Sequence, residues 1–239
     1  LLLQRNATDR DRQRYLDGFL KRLFAEYQKR GLLTNTLFVM TGDHGEAFGE
    51  HKRKQHDNGL WDEIAHIPAL IFNPTLFPKG GRIQGNRQQI DILPTVLDAL
   101  GWKIKDGYYA GKSMLQKVSP NRTVYLSCWY EQYCMARVRG MQKIIYNYGR
   151  HVGTVYDLTK DPLEKKNLRK SKSFTKKEWK KAVRELLQWR STVNHSYDQH
   201  HKGLRNTVVS KKPFAVTDKT NVHLGVFAKL VGIRKKQRY

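Results

Sequence analysis

The sequence predicts an α/β fold, in which a mixed or parallel sheet is flanked by helices and followed by a small antiparallel subdomain of sheet and helix. Apolar residues at helical spacing in 10–30 lead directly into an apolar run at 37–40. A helix followed at once by a buried strand is typical of parallel sheets. A second apolar run occupies 67–72. After residue 120 the strand candidates are short and separated by close turns, which favours antiparallel pairing.

The elements follow one another with recognisable ends. The first helix ends at Gly31, where a glycine C-cap belongs. Residues 42–63 form a polar loop without helical periodicity. A second helix is predicted over 91–100, with Asp91 as its N-cap and Pro94 in its first turn.

The later elements define the predicted domain organisation. Short strands and one more helix are predicted over residues 123–128, 134–139, 142–148, 154–157 and 174–193. We therefore divide the chain into an α/β region (1–119), a small α+β subdomain (120–193) and a weakly ordered basic tail (194–239).

The chain is strongly basic, with 45 Lys and Arg against 21 Asp and Glu in 239 residues and a formal net charge of +24. Such a field attracts anions, including sulfated or phosphorylated substrates, nucleic acid and acidic membranes. A generally basic surface without a specific partner explains the charge equally well. Within the predicted tail, residues 224–238 form a basic, partly amphipathic segment that suits an anionic membrane or a polyanion.

The sequence also bears on the cellular route. The chain begins at Leu1 without a methionine, shows no signal peptide and has no apolar run of the roughly 20 residues that span a bilayer. We expect a piece of a longer protein whose amino-terminal segment could hold a signal or a membrane anchor. Three glycosylation sequons, at Asn6, Asn121 and Asn194, weakly favour the secretory pathway and a lysosomal, extracellular or membrane-anchored location.

The two cysteines, Cys128 and Cys134, flank a possible hairpin turn. This spacing is equally compatible with a disulfide across that hairpin and with two free thiols.

The residues that could bind a metal ion follow the first predicted strand. Asp43 and His44 come at its carboxyl end, where open α/β sheets place their ligand crevices. Both side chains bind divalent cations, and Gly42 and Gly45 allow the backbone to turn both toward one site. The alternative is an exposed loop acid beside a histidine satisfied by protein contacts.

Further along the loop, His51 and His56 compete for a second role. A histidine beside a metal can clamp an oxyanion and protonate a leaving group. The basic residues from Lys52 to Lys54 add positive potential there. Taken singly, each is most often a solvated loop residue.

An ordered set of motifs resembles the carboxy-terminal half of the sulfatase family, a branch of the alkaline-phosphatase-like superfamily. The matching stretches lie at residues 31–36, 41–51, 56–63, 67–71, 91–97 and 155–168. The resemblance implies that Asp43 and His44 bind the active-site cation, with calcium expected first and zinc or manganese as alternatives. It places His56 at the position of a catalytic, sulfate-contacting side chain, and we add His51 and Lys54 as substrate-binding candidates.

The family's nucleophile is missing from this sequence. In sulfatases it is a formylglycine matured from Cys or Ser in Cys-x-Pro-x-Arg, within the amino-terminal half, and no such motif occurs here. Cys128 does not qualify, because Trp-Tyr-Glu-Gln follows it. We expect the formylglycine upstream and the chain alone to be inactive.

The expected function is hydrolysis of a sulfate ester on a sulfated small molecule or glycan. Two alternatives stay open: a phosphodiesterase or phosphoethanolamine-type transferase of the same superfamily, and a non-catalytic relative that binds polyanions. We expect no nucleic-acid partner, and a contact of the basic tail with an anionic membrane or polyanion is a further expectation.

Overall fold

The computed structural model describes residues 9–53, 56, 59–102, 110–128 and 133–206. The helices and strands are α1 (Asp9–Lys29), β1 (Phe38–Thr41), α2 (Asp62–Ala65), β2 (Ala69–Phe72), α3 (Ile92–Ala99), β3 (Thr123–Ser127), β4 (Cys134–Arg139), β5 (Gln142–Asn147), β6 (Val152–Asp157) and α4 (Lys176–Asn206). Helix α4 thus continues past the predicted end at residue 193, and the remainder of the predicted tail lies outside the described residues.

Helix α1 lies on the first two strands through aromatic side chains. The ring of Phe24 meets those of Phe38 in β1 and Phe72 in β2 edge-on, with centroids 4.9 and 5.4 Å apart. Tyr27 contacts Phe38 at 5.0 Å in the same manner. Edge-to-face pairs of this kind add stabilisation beyond the area that they bury, so the predicted helix–strand unit is confirmed as an element pair.

The pairing of β1 differs from the prediction. In the described part of the chain, β1 pairs only with β2, and the two run antiparallel, with Phe38 opposite Phe72. A parallel crossover usually runs through a helix that packs on the sheet, whereas the described connection between these strands holds only the four-residue α2 and a short 3-10 turn. The chain therefore folds back, and a larger mixed or parallel sheet stays a prediction.

The later strands form a second sheet in the order β3-β4-β5-β6, and every neighbouring pair is antiparallel. Cys128 and Cys134 form a disulfide with Cα atoms 5.3 Å apart, which settles the alternative that the sequence left open. The bond closes the β3–β4 hairpin beside a backbone hydrogen bond between the same two residues.

The second sheet is covered on both faces. On one face, side chains from β4, β5 and β6 pack against Ala182 and Leu186 of α4. On the other face, alternate residues of the same strands pack against Leu60 and Trp61, which belong to the polar loop of the candidate site. This packing connects residues on both sides of the predicted boundary at 119/120, and the domain division itself stays a prediction.

Asp91 stands at the N-cap position of α3, as predicted, but its side chain makes no capping hydrogen bond to that helix. Its fully buried carboxylate accepts two hydrogen bonds from the guanidinium of Arg122, at 2.6 and 2.7 Å, and one each from the backbone N–H groups of Gln88 and Lys112. Burial opposes the ionised form, but Arg122 and these N–H donors outweigh it and hold the pKa of Asp91 below its ordinary value of 3.8.

Replacing Asp91 by Asn should lower the free energy of unfolding by about 3–5 kcal/mol, because the guanidinium of Arg122 would be left nearly buried without its carboxylate. The depressed pKa means that this stabilisation is present above the unfolded value of 3.8 and is lost as pH falls through the folded pKa. Urea unfolding between pH 3 and 7 measures both effects. The exposed Asp17→Asn on α1 is the control and should shift stability by less than about 0.5 kcal/mol. Equal urea-unfolding midpoints for the Asp91→Asn and Asp17→Asn variants would contradict the stabilising role of the Asp91–Arg122 pair.

Candidate metal and substrate site

Asp43 and His44 lie directly after β1 and point their donor atoms at one another. The Asp43 Oδ2 and His44 Nε2 atoms are 3.6 Å apart, and the Asp43 side chain is 88% exposed. Two ligands bound at 2.0–2.6 Å to one cation are separated by roughly 2.8–4.2 Å at octahedral to tetrahedral angles. The pair is therefore spaced to share one divalent cation.

The imidazole of His44 is oriented by the loop backbone. Its Nδ1 lies 2.9 Å from the carbonyl oxygen of Gly45. Because a carbonyl can only accept, Nδ1 carries the proton and Nε2 presents its lone pair, which is how protein histidines usually face a metal.

The carboxylate of Asp43 is kept ionised by its surroundings. The backbone N–H of His44 donates to Asp43 Oδ1 at 3.0 Å. This bond is the largest cause that lowers the pKa of Asp43, followed by the residue's own N–H and the charge of His44. A carboxylate oxygen beside an imidazole nitrogen is a donor set that suits calcium, zinc or manganese.

The backbone of this loop is held at several points. Gln89 Nε2 donates to the carbonyl oxygens of Gly42 and Asp43 at 3.2 and 2.7 Å. The N–H of Gly45 donates to the carbonyl of Ile64 in α2 at 2.8 Å. Gly45 is required by close approach rather than by an unusual φ, because a Cβ at this position would lie 2.1 Å from the carbonyl oxygen of Glu63.

His56 lies beside the Asp43–His44 pair. Its ring stacks on that of His44, with centroids 4.1 Å apart and planes inclined by 17°. Its Nδ1 lies 2.8 Å from a carboxylate oxygen of Glu46. The structure thus brings three of the predicted site residues together. Glu46 is the partner that sequence reasoning missed, since ten residues of irregular loop separate it from His56.

His51 occupies a different position. Its Nδ1 lies 2.6 Å from Glu63 Oε1, and its Nε2 donates to the carbonyl of Glu164 at 3.0 Å. The ring stacks on Trp61 with centroids 4.5 Å apart. Both nitrogens are therefore occupied by protein groups, and the substrate contact predicted for His51 stays a prediction. Lys54, the other substrate-binding candidate, lies outside the described residues.

A buried ion triad connects this loop to the second sheet. Lys143 of β5 is fully buried, and its Nζ lies 2.6 Å from Asp62 Oδ1 and 3.0 Å from Glu164 Oε1. Glu164 also accepts the backbone N–H of Asp62 at 2.5 Å. Burial raises the pKa of Glu164 despite the opposing effect of Lys143. No local sequence pattern predicts this triad.

Within the described ranges, no group of three or more His, Cys, Asp or Glu side chains is arranged to hold a metal ion. The Asp43–His44 pair is therefore a candidate site of two side chains. The described part of the chain also contains no helix both long and apolar enough to cross a membrane.

The fold is shared with proteins of known structure. A protein in complex with its substrate D-glucosamine-2-N,6-O-disulfate superposes with a TM-score of 0.63 at 22% identity, covering 73% of this chain and 38% of that one. The phosphonate monoester hydrolase of Agrobacterium radiobacter superposes with a TM-score of 0.55 at 19% identity, covering 77% of this chain and 39% of that one. At these identities the likeness establishes the fold alone.

Sequence comparison relates part of the chain to a known family. Residues 7–102 match the family model described as Sulfatase. Arylsulfatase K of Xenopus laevis is 27% identical over 170 residues, which cover 64% of this chain and 31% of that protein. The segment that carries Asp43 and His44 therefore lies within the match to the Sulfatase family model, as the motifs indicated. The chain spans about a third of the length of this curated relative.

Replacing Gly45 by Ala should disrupt the site loop, because the new Cβ would overlap the carbonyl of Glu63. We expect a loss of about 1–3 kcal/mol in the free energy of unfolding, as for other overpacked sites. Chemical denaturation measures it. Gly81→Ala is the matched control, since nothing lies within 4 Å of the Cβ position there. Stability unchanged in both variants would contradict the close contact between Gly45 and Glu63.

Proposed function

We propose that this chain is the carboxy-terminal part of a metal-dependent sulfuric ester hydrolase. The observation that carries the proposal is the Asp43–His44 pair after β1, in which Asp43 Oδ2 and His44 Nε2 are 3.6 Å apart. Nδ1 of His44 is hydrogen-bonded to the carbonyl oxygen of Gly45. The family-model match of residues 7–102 supports sulfate-ester chemistry. This chain covers only 31% of arylsulfatase K of Xenopus laevis. We therefore assign the complete activity to a longer protein that contains this chain.

Asp43 and His44 would hold the divalent cation, with calcium expected and zinc or manganese as alternatives. Such a cation supplies Lewis-acid stabilisation of the charge that develops on the ester oxygens. Asp43 contributes negative charge to the site, and the bond from His44 Nδ1 to Gly45 keeps Nε2 directed at the cation position.

His56 is proposed as the proton donor to the leaving oxygen. Glu46 accepts a hydrogen bond from its Nδ1 and so orients the ring. Stacking on His44 keeps His56 beside the cation position. The nucleophile is proposed to be a hydroxyl of a hydrated formylglycine from the amino-terminal part of the protein, which would attack sulfur while the bond from sulfur to the leaving oxygen breaks.

The substrate is proposed to be a sulfated glycan or small molecule, supported by the fold shared with a protein that binds D-glucosamine-2-N,6-O-disulfate. A secretory location is proposed on two observations: the Cys128–Cys134 disulfide, since such bonds persist in oxidising compartments, and the exposure of the sequon residues Asn121 and Asn194.

A second candidate function is hydrolysis of a phosphorus ester. The specific observation in its favour is the fold shared with a phosphonate monoester hydrolase. Sulfate and phosphate esters present similar oxygens to a cation, so the described residues suit both.

The test is an assay of the longer protein that contains this chain, with an aryl sulfate and an aryl phosphodiester, with and without chelator. We expect chelator-sensitive release of sulfate and a loss of roughly 100-fold or more in kcat/KM in Asp43→Ala, because changes even to residues behind metal ligands cost 10–100-fold. Asp17→Asn serves as the control and should leave turnover unchanged. Turnover of the phosphodiester alone would move the protein to the second candidate, and chelator-insensitive turnover would overturn both.

A further inference from the structure

The outer face of α4 is a continuous row of cations. It carries five exposed basic side chains: Lys176, Lys177, Lys180, Lys181 and Arg184. At 3.6 residues per turn they fall within an arc of about 140°. Ala182 and Leu186, both fully buried against the second sheet, lie on the opposite side of the helix. We call this arc the basic face of α4.

The basic face has no local counter-charge. The segment 165–193 contains two acidic residues, and both bind groups outside the basic face. Glu178 accepts hydrogen bonds from the N–H and hydroxyl of Thr175, and Glu185 pairs with Arg137 and Arg139 of β4. In the described residues, none of the five cations of the basic face takes part in an ion pair.

The preceding segment adds to this charge. Residues 165–184 contain ten Lys or Arg against one Glu, a net charge of +9. The guanidinium of Arg169 lies 4.4 Å from the ring centroid of Trp179, which places it beside the basic face. A shallow groove along α4 has a mostly apolar lining of Trp179, Val183 and Leu187, with Lys180, Arg184, Gln188 and Ser191 as its polar residues. Its cations and amide suit the sulfate and hydroxyl groups of a sugar chain.

The basic face lies on the opposite side of the second sheet from the site loop. Alternate residues of β5 show this: Ile144 faces α4, whereas Ile145 faces Leu60 and Trp61. A ligand held on the outer face of α4 is therefore separated from the Asp43–His44 pair by the sheet. The two surfaces would contact different parts of a long substrate.

We propose that the basic face of α4 is a second binding surface for a sulfated polysaccharide, which retains the polymer while the Asp43–His44 site acts on one of its esters. The choice of a polysaccharide rests on the proposed function.

Two other polyanions fit the basic face less well. An interfacial helix inserts its apolar face into the lipid, but that face of α4 is covered by the sheet. Proteins that bind single-stranded nucleic acid stack bases on exposed aromatic rings, whereas Trp179 is only partly exposed, with the guanidinium of Arg169 over its ring and Tyr146 packed against it.

The test uses two triple variants of the full 239-residue chain. The first carries Lys177→Gln, Lys180→Gln and Arg184→Gln on the basic face. The matched control removes the same charges from exposed positions of α1, with Arg14→Gln, Lys21→Gln and Lys29→Gln. Binding to heparin, a sulfated polysaccharide, is titrated at several salt concentrations, with thermal unfolding to confirm equal folding. De-sulfated heparin, phosphatidylserine vesicles and single-stranded DNA serve as comparison probes.

We expect the first variant to lose at least 10-fold in affinity for heparin, and its salt slope to fall by about 2, since each released counterion contributes roughly 0.7–0.9. The control should change by less than 2-fold. Equal losses in the two variants would overturn the proposal, as would tighter binding to vesicles or DNA than to heparin, or undiminished binding to de-sulfated heparin.

This outcome is independent of the catalytic proposal. In the longer protein, Asp43→Ala should abolish turnover of an aryl sulfate yet leave heparin affinity intact, whereas the basic-face variant should do the reverse. Loss of turnover in Asp43→Ala together with unaltered heparin binding in the basic-face variant would overturn the second surface alone.

Discussion

The rest of the structure depends on one buried ammonium group. Lys143 lies inside the second sheet with no exposed surface, and it is tolerated there because Asp62 and Glu164 neutralise it. Stripping water from a lone charge costs several kcal/mol, so the three groups must stay together. The triad therefore fixes the start of α2 against β5. Because the carbonyl of Ile64 in α2 accepts the N–H of Gly45, the same constraint reaches the loop that presents the Asp43–His44 pair.

The two faces of the second sheet pack against different parts of the chain. One face receives Leu60 and Trp61, and with them the loop whose backbone orients His44. The other receives α4, whose apolar stripe is used in packing and whose charged stripe is left to solvent. A sheet buried on both sides explains why its inner strands have nearly continuous buried runs. It also explains how a small sheet can support the loop that carries Asp43 and His44 on one face and leave the charged side of α4 open to solvent on the other.

Sequence patterns predicted the elements with strong periodicity and the residues at the end of β1. Helix α1, the strands of the second sheet and the start of α4 follow from repeats that are local. The misses all depend on contacts between distant residues. The antiparallel pairing of β1 with β2, the Asp91–Arg122 pair and the contact of His51 with Glu164, 113 residues away, leave no local signature. A buried lysine in a strand and a glutamate in a turn become a pair only after the chain has folded.

The most direct test of this account is amide hydrogen exchange in Lys143→Met, with Glu164→Gln as a second variant and the exposed Lys180→Met as control. If the triad holds the site loop through α2, both triad variants should lose at least 10-fold in protection at the amides of Asp62 and Gly45. Protection in β1 and the control protein should stay as in the parent chain. Undiminished protection of Gly45 alongside loss at Asp62 would contradict the account, because it would show that the loop holds its geometry without the sheet.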